Sequence, residues 1–223
     1  MSEMPNSWFV LRADAEAFLL DLIGCAELAT VDLDHLEGNL YYMRLGRAAR
    51  RAQIYLKANS LDRSALSFIA LHRELLRDRP TGPESSSLPD HMFTSAKELE
   101  DNFLDAASGL PLSVEAAAPF NELIASLLKA MKEVGYEEID RKTGEVEANH
   151  AIDPIQCFGV GRKLAYLEEH LSEKNYGRAL EIVEEDLPEW LEHKCPEYLK
   201  SIDYALRNAI SGITNLQKQE DGY

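Results

Sequence analysis

The chain has 223 residues, 45% hydrophobic and 28% charged, with 39 acidic residues against 23 Lys or Arg and a formal net charge of −16. That balance belongs to a folded globular protein rather than a disordered or membrane-spanning chain, and the negative excess argues against wholesale binding to nucleic acid or anionic membranes, which requires positive potential. Cys25, Cys157 and Cys195 are odd in number and far apart, so they form neither a disulfide framework nor a paired thiolate zinc motif, and a reducing, cytoplasmic setting is expected.

Taken in chain order, apolar residues recur at helical spacing almost throughout. A first helix is expected over 8–28, with Leu11, Ala15, Phe18, Leu19 and Leu22 on a core-facing stripe and Asn6 or Ser7 as cap. Arg12, Asp14, Glu16, Asp21 and Glu27 interrupt its apolar run, which excludes a signal-peptide core or a transmembrane span. Thr30 caps a second helix reaching Lys57, with Asp32 and Asp34 in the first turn, where carboxylates suit the helix dipole. Ser60 or Asp62 starts a third, running to Asp78, with His72 on its apolar stripe as a hydrogen-bonded core residue.

A flexible loop follows over 79–93, carrying the proline- and serine-rich "RPTGPESSSLPD". Ser95 and Glu98 have the spacing of a capping box for a short fourth helix, closed by "SGLPLS" near a subdivision at 108–118. A fifth helix is expected over 119–134, and Lys142, Thr143 and Gly144 give the segment 136–149 the choice of a short β-hairpin or a loop. Asp153 and Pro154 begin the next helix, Asn175 restarts another that ends near Pro188, and Leu199, Ile202, Leu206, Ala209, Ile213 and Leu216 form the seam of the last. The whole reads as one all-α domain over 1–223, a bundle or array of about seven to eight helices. The segment around Asn175 to Leu180 resembles the helix pair of a tetratricopeptide repeat, but it occurs once, and an array needs about three units.

Charge is distributed unevenly. Residues 44–79 hold nine Lys or Arg against Asp62, Glu74 and Asp78, a local +6 that leaves −22 for the rest. On a helical projection Leu45, Ala48, Ala49, Ala52, Tyr55 and Leu56 share one arc, and Arg44, Arg47, Arg50 and Arg51 take the other. Those arginines form either a solvated face neutralised by the chain's own acidic helices or a contact for an anionic partner, since guanidinium forks suit carboxylate and phosphate. Tyr41 and Tyr42 are the only aromatics placed to stack bases beside them. The mirror feature is 167–197, with ten carboxylates, Glu181, Glu184, Glu185 and Glu189 among them, against Lys174, Arg178 and Lys194. It is a solvated face or a docking surface for a basic partner.

Local chemistry is sparse. Glu147 with His150, Asp32 with His35, and Glu189, Glu192 with His193 have metal-ligand spacing, but none pairs with a second motif on a facing helix, so neither metal nor cofactor is expected. No arginine precedes any histidine at the four-to-six-residue interval of helical HEPN-type ribonucleases. "FGVGRK" fits neither phosphate loop nor dinucleotide fingerprint, which makes Gly159 and Gly161 close-packing points, and Cys25 and Cys157 are expected in the core. No catalytic residue can be named. The expected function is a cytoplasmic interaction or regulatory protein that binds an oppositely charged protein surface or a second copy of itself. The alternatives are a helical nucleic-acid-binding or nuclease-like protein using the arginines, and a helical enzyme whose pocket is built from distant residues.

Overall fold

The computed structural model describes residues 6–28, 36–77, 88–110, 154–194 and 196–222. These are helical throughout except for short connections: α1 (Asn6–Leu28), α2 (Leu36–Lys57), α3 (Leu61–Leu76), α4 (Asp90–Ala106), α5 (Pro154–Ser172), α6 (Tyr176–Glu181, Ile182–Asp186 and Leu187–Lys194 in unbroken succession) and α7 (Pro196–Glu220). The all-α expectation holds, and among the described residues there is no strand. The Thr30 cap, the fifth helix, the 136–149 hairpin and most of the 79–93 loop lie outside the described residues. Among the described residues no helix is long and apolar enough to cross a membrane.

The chain forms two compact units. In the first, α1 packs on α2 and α4, α2 on α3, and α3 on α4, so the four helices close a ring of contacts. Its centre is aromatic: Phe68 stacks on Phe103 with ring centroids 4.6 Å apart, and Trp8 meets Phe103 edge-on at 6.1 Å. Such paired rings contribute about 0.5–1.5 kcal/mol beyond the area they bury. Tyr41 and Tyr42 are buried too, Tyr41 donating to the carbonyl of Leu75 at 3.1 Å, so neither can stack a base.

The first turns of α5, as far as Arg162, belong to this unit and cross α2 backbone to backbone. A Cβ on Gly46 would run into the Phe158 carbonyl, and one on Gly161 into the Met43 carbonyl with Arg47 N at 2.8 Å. Gly161 is the close-packing point expected of it, and Gly46, among the arginines, is its counterpart.

The second unit contains α5 from Lys163 onward, α6 and α7. Leu206, Ala209 and Ile213 are the buried seam of α7, which lies along α6. Asn175 caps α6 as expected, its side chain accepting from the Arg178 N–H at 3.3 Å. The α2–α3 and α5–α6 corners share one construction. Asn59 and Lys174 adopt positive φ (53° and 57°), and the following N–H reaches back five residues, Ser60 to Tyr55 at 3.1 Å and Asn175 to His170 at 2.8 Å.

Two boundaries differ from the sequence reading. The fourth helix starts at Asp90, after exposed Pro89 and buried Leu88, so Ser95 and Glu98 lie inside it rather than forming its cap. The helix expected to end near Pro188 instead runs through it to Lys194. Proline clashes with the carbonyl four residues earlier, and here the preceding turn is a π segment, Ile182–Asp186, whose wider winding accommodates the ring.

The crossing sets a sharp expectation. Gly46→Ala and Gly161→Ala should each destabilise by about 3 kcal/mol or more, because backbone rather than a side chain must move. Gly24→Ala, in α1 with nothing near its missing Cβ, should stabilise by about 0.8–1.0 kcal/mol. Urea unfolding of the three variants checks both signs.

Candidate functional site

Helix α1 is apolar on two opposite faces. Trp8, Leu11, Ala15, Phe18, Leu19, Leu22 and Ala26 are buried, as expected for its core stripe. On the far side Phe9, Val10, Leu20 and Leu28 are 59%, 64%, 68% and 82% exposed. Advancing 100° per residue, these four fall within about one quarter-turn together with Ala13, Ala17 and Gly24, so bulky residues flank a shallow middle. Glu16 borders the stripe on one side, Asp14 and Asp21 border the other, and Glu27 sits at its end; all four are exposed. The nearby cation, Arg12, is held by Glu16 at 2.8 Å and by the Asn59 side chain at 2.7 Å. In sequence, the buried stripe alone is enough to mark the helix as amphipathic.

The arginine stripe is less open than a solvated face. Arg44, Arg47, Arg50 and Arg51 are all half-buried, their aliphatic stems covering apolar surface. Arg44 Nε lies 3.1 Å from Glu74 Oε2 of α3, with side chains only 14% and 26% exposed. That contact is one of charge rather than an aligned hydrogen bond. Arg50 reaches Gln53 at 3.4 Å. Arg162, beside the glycine crossing, is held below the ordinary guanidinium pKa by burial and then by the charge of Arg50.

The acidic run maps to α6. Glu181, Glu184, Glu185 and Glu189 are exposed, and Glu181 accepts from Arg178 at 2.7 Å, which also grips Asp186 at 2.8 Å. Nearby in the same unit, Lys174 and the Tyr176 hydroxyl donate to the two oxygens of Glu220 at 2.6 and 3.1 Å. The Lys174 hydrogen bond, opposed by partial burial and reinforced by Tyr176, holds Glu220 below the ordinary carboxylate range.

His72 meets Glu100 of α4, the hydrogen-bonded role expected of it. Cys157 is buried as expected, whereas Cys25 is half-exposed at the edge of α1. There, Asp21, Cys25 and His91 of α4 bring one donor atom each within 4.8 Å of one another. His91 Nε2 lies 3.1 Å from Asp21 Oδ2, and the Cys25 thiol lies 4.0 Å from Asp21 Oδ1. Burial, and then the charge of Asp21, raise the Cys25 thiol pKa. Sequence spacing shows the Asp21–Cys25 half of this cluster, one helical turn apart, but not the histidine 70 residues away. Of the metal-ligand spacings noted in the sequence, Glu189 and Glu192 are exposed on α6, and the Asp32–His35 and Glu147–His150 pairs lie outside the described residues.

Comparison with protein-family models, curated proteins and solved structures finds no match for this chain.

Two measurements follow. Arg44→Met should destabilise by about 1–2 kcal/mol, since it strands a partly buried carboxylate. Adding Glu74→Leu should recover part of that, with a coupling of roughly 0.5–2 kcal/mol in a double-mutant cycle, whereas Glu184→Gln with Glu185→Gln should stay within about 0.5 kcal/mol. For Glu220, a lowered folded pKa means stability present above the ordinary glutamate value of about 4.3 and lost as pH falls through the folded one. In an NMR titration its carboxyl should titrate below that ordinary value, and Lys174→Met should move it upward.

Proposed function

We propose that this chain is a cytoplasmic interaction protein whose outward α1 face receives an apolar, positively charged helix of a partner protein. The observation that carries this reading is the exposed stripe from Phe9 to Leu28 with carboxylates along both borders. Burying one large apolar side chain contributes about 1.5–3 kcal/mol, so four of them with small residues between make a favourable seat for a helix laid along α1. The acidic borders set the partner's sign, because like charges oppose self-association through this face and attract lysine or arginine beside an apolar seam. Exposed Glu184, Glu185 and Glu189 give α6 an acidic surface of the same kind. Unbridged Cys25 and Cys157 suit the reducing compartment proposed.

A second reading rests on Arg50 and Arg162. Arg162 feels the charge of Arg50 beside the α2–α5 crossing, and guanidinium groups suit the phosphates of a nucleic acid. Its affinity would fall steeply with salt.

The test uses a synthetic amphipathic helix of leucine and lysine, titrated against the full chain by calorimetry, with light scattering for self-association. The wild type should bind it as a monomer, and Phe9→Gln with Leu20→Gln, which leaves the charge unaltered, should weaken binding about a hundredfold without lowering thermal stability. Equal binding by that variant, or a wild-type dimer that the variant abolishes, would overturn a basic partner on α1. Salt-sensitive oligonucleotide binding lost in Arg50→Glu would establish the second reading.

A further inference from the structure

The place where α1 meets the start of α4 carries a donor set of which the interaction reading uses only Asp21, as a border charge. Asp21 and Cys25 are one turn apart on α1, at the border of the outward stripe, and His91 is the second residue of α4. The three differ in kind: a carboxylate, a thiol and an imidazole. Each is a ligand for divalent transition metals, and together they have the mixed hard and soft character that suits zinc(II) rather than magnesium or calcium, which take oxygen ligands.

The geometry is close to what that ion needs. Zinc binds sulfur at about 2.3 Å and nitrogen or oxygen at about 2.0–2.2 Å, so the donors of a tetrahedral site stand roughly 3.3–3.8 Å from one another. Here the His91 nitrogen and an Asp21 oxygen already lie 3.1 Å apart, Cys25 sulfur lies 4.0 Å from the other Asp21 oxygen, and all three ligand atoms fall within 4.8 Å of one another. The closing needed is under about 1.5 Å, within reach of rotamer changes in Asp21 and His91, which are exposed, and Cys25, which is half-exposed. A dication between them would bind the thiolate and release its proton.

We propose that Asp21, Cys25 and His91 bind one zinc-class dication, with the fourth position open to water, and that the ion ties the C-terminal half of α1 to the first turn of α4. Three protein ligands with an open position is the arrangement of an accessible zinc site rather than of a closed four-ligand structural one. The proposal can be tested apart from the partner on α1: it shares only Asp21 with the border of the stripe, and its readout is the metal.

The test is zinc chloride titrated into the reduced, tag-free full chain in competition with a chromophoric chelator, and cobalt(II) chloride as spectroscopic probe. Wild type should bind one equivalent more than Cys25→Ser or His91→Ala. Removing a ligand outright should exceed the roughly ten- to hundredfold loss typical of removing a ligand's orienting partner, so each variant should weaken that site by about a hundredfold or more. The cobalt form should show thiolate-to-metal charge transfer and visible bands of tetrahedral strength, both lost in Cys25→Ser. Zinc should also raise the unfolding temperature of wild type and not of the variants. Because the three side chains lie at the surface, circular dichroism should show both variants folded. Equal zinc stoichiometry and affinity in wild type and both variants, or a cobalt complex without thiolate charge transfer, would overturn the proposal.

Discussion

The close crossing of α2 and α5 at Gly46 and Gly161 is the constraint on which much of the first unit depends. Each glycine opens room for the other helix's backbone, Gly46 for Phe158 and Gly161 for Met43. Fixing α2 there fixes the arginine stripe as well, since Arg44, Arg47 and Arg50 lie within a turn or so of Gly46 on the same helix. Their half-burial follows from this register: stems lie along apolar surface, Arg44 comes to Glu74, and Arg50 comes to Arg162. A residue with a Cβ at either crossing point would push the helices apart and change every one of those relations together.

Helix α1 obeys a different logic. Its buried stripe supplies Trp8 and Phe18 to the aromatic centre built around Phe68 and Phe103, and that alone accounts for its place in the ring of four helices. The apolar outward stripe adds nothing to this packing. A surface helix ordinarily turns polar residues outward, and large exposed apolar patches mark contacts, so the composition of Phe9, Val10, Leu20 and Leu28, which the packing of the fold does not require, is the ground for the partner proposed above.

Most helices were legible because their apolar residues repeat at 3.6, and the Asn175 cap and the start at Pro154 are local chemistry that sequence displays directly. Where the reading failed, the cause was a local signal overruled by its surroundings. Ser95 and Glu98 have capping spacing, yet Leu88 is buried and the helix begins beside it. Pro188 is a helix breaker by local rule, and a π segment one turn earlier removes the clash. Gly46 stands among alanines in the sequence, and its meaning lies in a helix more than a hundred residues away. A separation of 70 residues likewise hides His91 from Asp21, while the outward stripe of α1 is present in the sequence but masked by a core stripe that already makes sense of the helix.

The border of that stripe is where the two proposals touch. Asp21 contributes one of the negative charges that favour a basic partner, and it is also a ligand of the proposed dication. A zinc ion held by one carboxylate, one thiolate and a neutral imidazole carries no net charge with its ligands, so occupancy takes Asp21 out of the border and leaves Asp14 alone on that side. The stripe itself, from Phe9 to Leu28, is untouched by this. Metal occupancy would therefore lower the electrostatic part of partner binding, which acts chiefly on association rate and salt dependence, and leave the apolar part, which sets how long a helix stays.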